Sequence, residues 1–155
     1  MSRTVIQVFE ETAARCGDLP ALKTKVNGVW QATSWTDYRK NVRETARGFM
    51  AAGLAEGDGL AILANNSEQW VTAYLAGIAC GAVPAGLYVT NSPEQCRYVI
   101  DHCDASMLVV DSREQLDKVL QVTKSPIIAS HSCAHSVCPH PRNLTDEQIR
   151  RIANT

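Results

Sequence analysis

The feature that most constrains the fold of this chain is an alternation of short apolar runs with amphipathic segments of helical length. Leu60-Ala-Ile-Leu-Ala has no polar position on either face. A strand of that composition is buried on both faces, as in a parallel sheet, because an antiparallel sheet with one wet face would alternate apolar and polar residues. Ala82–Leu87, Ser106–Val110 and Pro126–Ser130 read the same way. Between them lie segments with helix signals: Ser67 to Cys80 with Ser67 as cap, Ser92-Pro-Glu with proline at the first helical position, and Ser112 to about Val122. Strand and helix in strict alternation predict an α/β fold with a partial, mostly parallel sheet covered by helices.

Ahead of this alternation the signals are of another kind. Val5, Val8, Phe9, Thr12 and Ala13 recur at helical spacing, and Gly17 ends that helix. Two strand-like runs flank Asn27-Gly28, a pair that accepts positive φ at both turn positions, so a β-hairpin is expected near the N-terminus. Ser34 or Thr36 then caps a helix to about Ala52, with Tyr38, Val42, Ala46, Phe49 and Met50 on its buried side.

Composition excludes several partners. Charged residues make up 20% of the chain and the net charge is −1, which gives no electrostatic case for nucleic acid. The longest apolar stretch, Val71 to Leu87, is broken by Gly77, Gly81, Pro84 and Gly86 and is too short to span a bilayer. The N-terminus lacks the apolar core of a secretion signal, so a cytoplasmic location and six reduced cysteines are expected.

Four ordered motifs carry a family resemblance. They are Ser34-Trp-Thr-Asp-Tyr, Gly57-Asp-Gly-Leu-Ala-Ile-Leu-Ala-Asn-Asn-Ser-Glu-Gln-Trp, Gly77-Ile-Ala-Cys-Gly-Ala-Val-Pro-Ala-Gly-Leu-Tyr and Asn91-Ser-Pro-Glu-Gln-Cys-Arg-Tyr. Together they resemble the opening of adenylate-forming, AMP-binding enzymes, and within these the long-chain fatty acyl-CoA synthetases of the bubblegum type. The resemblance covers about residues 5–118, the N-terminal part of a synthetase large domain. It implies a parent reaction in which ATP, fatty acid and coenzyme A give acyl-CoA, AMP and diphosphate, with Mg²⁺ assisting.

The resemblance is to scaffold. Gly77, Gly81 and Gly86 fit neither G-x-G-x-x-G nor a P-loop, and are read as allowing tight helix–strand packing. Trp70 and Tyr74, a turn apart, are read as core. Asn65-Asn66 falls where open α/β sheets bind ligands, yet a turn is the expected role there. Holding a triphosphate needs clustered backbone N–H groups and a lysine. The family supplies these from a Ser/Thr/Gly-rich loop ending in Pro-Lys, and these 155 residues contain no such stretch. No catalytic or cofactor-binding residue carries over, and no cofactor is expected for these residues alone.

After about Leu120 the pattern changes. Ile127-Ile-Ala-Ser-His-Ser-Cys-Ala-His-Ser-Val-Cys-Pro-His-Pro-Arg-Asn-Leu-Thr-Asp-Glu-Gln-Ile-Arg-Arg-Ile-Ala resembles zinc-dependent membrane (renal-type) dipeptidases over about residues 119–154. That resemblance implies a zinc-ligating histidine, His131, and an arginine gripping the substrate carboxylate, Arg142. Three of four histidines, His131, His135 and His140, lie within ten residues beside Cys133 and Cys138, and imidazole and thiolate suit zinc. The family's remaining ligands have no counterpart here, so no native zinc site is expected. Residues 119–155 are read as a strand-loop-helix segment, not an independent domain, joined to the synthetase portion within Gln115–Lys124. A remnant metallodipeptidase and a non-catalytic interaction module are the alternative functions. A cut parallel sheet would leave an edge open to self-association.

Overall fold

Among the described residues, all six helices begin at a hydroxyl residue: Thr4, Ser34, Ser67, Ser92, Ser112 and Thr145. Each side-chain oxygen accepts the backbone N–H three residues on, satisfying a donor that the helix itself leaves unpaired. At Thr4, Ser92 and Thr145 a glutamine at the third helical position returns the bond to the cap residue's own N–H, completing a capping box. Of Ser34 and Thr36, it is Ser34 that caps.

In the computed structural model, residues 3–121, 127–128, 136–137 and 143–154 are described. The order is α1 (Val5–Cys16), β1 (Pro20–Val26), β2 (Val29–Ser34), α2 (Trp35–Ala51), β3 (Gly59–Leu63), α3 (Glu68–Ala79), β4 (Val83–Leu87), α4 (Pro93–His102), β5 (Ala105–Val110), α5 (Arg113–Leu120), β6 (Ile127–Ile128) and α6 (Asp146–Ala153). They fall into two units, Met1–Glu56 with Asn66–Ala82, and Gly57–Asn65 with Val83–Thr155. Among the described residues no helix is long and apolar enough to cross a membrane.

The first unit holds α1, the β1–β2 hairpin, α2 and α3. Asn27 and Gly28 take φ of 50° and 83°, the left-handed pair that a tight two-residue turn demands. Phe9 and Ala13 of α1 meet Tyr38, Val42, Ala46 and Phe49 of α2 as buried residues. Phe9 packs edge-on to Tyr38 with ring centroids 5.2 Å apart, and Trp35 lies tilted 6.1 Å from Phe9. Three expected core positions differ. Val5, Val8 and Met50 are 58%, 43% and 54% exposed. Spacing marks an apolar arc on a helix, but only the middle of each arc is covered.

The second unit is a four-stranded parallel sheet, ordered β4-β3-β5-β6. The strands expected at Leu60–Ala64, Ala82–Leu87 and Ser106–Val110 are present, with β3 central and buried at every position, and of the strand expected over Pro126–Ser130 the described residues show Ile127–Ile128 as β6. One core cluster joins Ala61, Leu63, Leu87 and Leu108 of the sheet to Cys96 and Ile100 of α4 and Leu116 and Val119 of α5. Leu144 and Ile152 pack against it. The α/β architecture, with a parallel sheet, flanking helices and an N-terminal hairpin, is as the sequence predicts.

Candidate functional site

Adjacent strands whose onward connections lead to opposite edges of a sheet leave a crevice at their carboxyl ends, where open α/β sheets bind ligands. β3 and β5 are such a pair: they run side by side to Leu63 and Val110, after which the chain goes to β4 on one side and β6 on the other. The crevice therefore lies between Ala64-Asn65 and Asp111-Ser112.

Asn65 and Asp111 are bonded across it. The Asn65 backbone N–H donates to Asp111 Oδ2 at 2.7 Å, and Asn65 Nδ2 donates to the same oxygen at 2.9 Å. Two N–H donors on one carboxylate oxygen make a charge-assisted clasp between strand ends. Asn65, for which the sequence suggests a turn, instead ties the end of β3 to the residue after β5. Asp111 was not singled out by sequence reasoning. The signal was there, an acid directly after the apolar run Met107–Val110 and before the Ser112 cap. Gln115, in the first turn of α5, is buried with its Oε1 unpaired.

At this crevice the Asn65–Asp111 pair holds the ends of β3 and β5 together. Asp111 is exposed and already engaged. Among the described residues no three His, Cys, Asp or Glu side chains converge to hold a metal ion. Lys118, the nearest lysine in sequence, donates its ammonium to the Val89 carbonyl at 2.6 Å, leaving it committed to a loop. His102 stacks on the exposed Tyr98 ring at 5.6 Å.

Other candidate groups are likewise structural. Cys16, Cys80, Cys96 and Cys103 are free thiols. Burial pushes the thiols of Cys80, Cys96 and Cys103 above their ordinary value, and the charge of Lys118 only partly opposes this at Cys96. Thiols kept protonated in this way are poor nucleophiles. Trp70 and Tyr74 stack at 5.2 Å, nearly parallel and half-buried. In the first unit, Arg39, Lys40, Arg43 and Arg47 line a groove of about 310 Å³ with Thr36, Glu44 and Ala13. Glu10 occupies Arg39 at 2.6 Å and Arg43 at 2.8 Å, so this is an ion-pair seam, without the backbone N–H cluster that phosphate binding uses. Burial alone would raise the Glu10 carboxyl. The hydrogen bonds and charges of Arg43 and Arg39 outweigh it and hold Glu10 below the usual range.

The sequence-predicted residues His131 and Arg142, with Cys133, His135, Cys138 and His140, lie outside the described residues. Just beyond them, Asn143 is buried. Gln148 and Arg151 of α6 reach Asp117 of α5 at 3.2 and 3.5 Å.

Among solved structures the fold is shared with adenylate-forming enzymes. A fatty acyl-adenylate ligase from L. pneumophila superposes with a TM-score of 0.71 at 12% identity, over 83% of this chain and 23% of that one. The N-terminal subdomain of Klebsiella oxytoca NpsA gives 0.66 at 21% identity, over 72% and 27%. These identities speak for the fold alone. Sequence goes further: the AMP-binding enzyme family matches residues 9–149, and the chain belongs to that family. It is 39% identical over 122 residues to the long-chain-fatty-acid–CoA ligase ACSBG1 of Bos taurus, and 40% identical over 119 residues to ACSBG2 of Xenopus laevis. The matches cover 79% and 77% of this chain but only 17% and 16% of those proteins, about a sixth of their length. The chain is thus homologous to a part of the AMP-binding region of long-chain fatty-acid–CoA ligases. The family match extends past residue 118, and no comparison supports a dipeptidase relationship.

Proposed function

We propose that these 155 residues are the opening scaffold of a long-chain fatty-acid–CoA ligase, and that on their own they do not activate a fatty acid. The parent reaction takes ATP, fatty acid and coenzyme A to acyl-CoA, AMP and diphosphate. The observation that carries the reading is the crevice at β3 and β5: its polar groups are spent on each other through Asn65 and Asp111. The absence from the sequence of a Ser/Thr/Gly-rich loop ending in Pro-Lys supports the same reading. Pyrophosphate exchange into ATP, with palmitate and Mg²⁺, tests it. The purified chain should show no rate above buffer, and ATP should not raise its melting temperature, since a ligand that binds the native state must stabilise it. Exchange above background would overturn the reading.

A second reading concerns residues 119–154. The pairwise matches leave about a fifth of the chain uncovered, although the family match runs to 149. In this reading the segment derives from a zinc dipeptidase, with His131 and Arg142 as relics of a ligand and a carboxylate clamp. The protein would then hold no stoichiometric zinc, because a hydrolytic site needs about three protein ligands. Elemental analysis finding one tightly held zinc per chain would instead favour a working metal site. An uninterrupted synthetase reading frame through codons 115–124 of the locus would remove the fusion altogether.

A further inference from the structure

α6 is eight residues long, and a free helix of that length is marginal in water. It is held against α5, and its polar hold centres on one carboxylate. The Gln148 side-chain amide donates to Asp117 Oδ2 at 3.2 Å, and the Arg151 guanidinium donates to Oδ1 at 3.5 Å. The apolar support lies at the rim of the core. Leu120, Leu144 and Ile152 are half-buried against the cluster. The deep residues of α5, Leu116 and Val119, are 1% and 0% exposed and share that cluster with the sheet and α4. The Ser136 hydroxyl donates to Asp146 at 2.7 Å, a tie that does not reach α5.

Gln148 couples the folding of α6 to its docking. Its Oε1 accepts the Thr145 backbone N–H at 3.0 Å, closing the capping box that starts the helix, while its Nε2 reaches Asp117. The side chain is buried, so lifting α6 takes away its burial and its acceptor together.

We propose that α6 is a releasable strap: it opens as one unit while the sheet, α4 and α5 stay folded, and Asp117 is its latch. Opening wets half-buried apolar side chains at the rim, whereas parting the sheet would wet Leu63, Leu108, Leu116 and Val119, a far larger loss of buried apolar area. Local openings that cost little apolar burial lie below global unfolding in free energy. Because Gln148 serves both cap and latch, the two fail together and the helix leaves whole. Closed, the Asp117 carboxylate is matched by Arg151; open, it stands in water on the flank of α5 with Leu120 beside it.

Hydrogen exchange of the whole chain, read amide by amide in native buffer and in dilute urea, tests this. Residues 149–153 should exchange faster than β3, at rates nearly independent of dilute urea because little surface is exposed. Two variants separate the strap from the sheet. Asp117→Ala leaves the buried Gln148 amide without its acceptor and should speed exchange in α6 about tenfold. Ser92→Ala weakens the cap of α4, which stays folded in the opened form. It should speed exchange in β3 about fivefold and leave α6 unchanged. Equal exchange in α6 and β3, rising together in Ser92→Ala, would mean that α6 opens only when the sheet unfolds, and overturns the proposal. Exchange in α6 that is unprotected in the wild type, or indifferent to Asp117→Ala, overturns it as well.

Discussion

Gly59 opens the central strand where the chain turning into β5 crosses over it. A Cβ there would collide with the carbonyl oxygens of Cys103 and Asp104 and the Cα of Ala105. These are backbone atoms of a tight turn in which Asp104 already has φ of 48°, so they cannot step aside. Gly59→Ala should destabilise the fold by about 1–3 kcal/mol, read from the urea midpoint at unchanged slope. Glu10 gives a pH-dependent counterpart. Its carboxyl lies below the ordinary value of 4.5, so the folded state holds it ionised more firmly than the unfolded chain does. The stability it contributes is present above that ordinary value and is lost as pH falls through its lowered folded value. Stability curves of the wild type and Glu10→Gln should accordingly diverge at neutral pH and converge in acid. Neither effect is legible in the sequence. Gly59 lies in a Gly-Asp-Gly that reads as an ordinary turn, and the partners of Glu10, Arg39 and Arg43, are about thirty residues away. Burial of Tyr38, with the Glu68 charge adding to it, pushes its hydroxyl up to about 12, and that too depends on packing across elements.

Elements were more legible than residues because their signals are local. Ser67, Ser92 and Ser112 mark helix starts in the sequence and cap helices in the structure. Ser92→Ala removes one arm of the box with Gln95 and should cost about 1 kcal/mol, measurable as a lowered melting temperature. The apolar run at β3 predicts a fully buried strand because nothing polar interrupts it. What periodicity missed is coverage: Met50 shares the apolar arc of α2 with Phe49, yet the first is mostly exposed and the second buried. The candidate site divides the same way. Asn65-Asn66 is recognisable as the end of a strand, whereas its partner Asp111 is 46 residues away and becomes a neighbour only through the order β4-β3-β5.

For the whole molecule, charge sets handling. With a net charge of −1 and an isoelectric point near 6.4, solubility should pass through a minimum close to that pH, and a turbidity titration would show it. Connectivity sets something else. The chain passes from the first unit to the second at Gly57, returns at Asn66 and leaves again at Val83. β3, the strand most completely hidden in the finished protein, is therefore made before both of its neighbours. Translation supplies roughly 5–20 residues each second, so Leu60–Leu63 emerges from the ribosome some seconds before β5 exists to cover it. During that interval the most water-averse segment of the chain has no sheet to join, and a nascent-chain chaperone would find its target there.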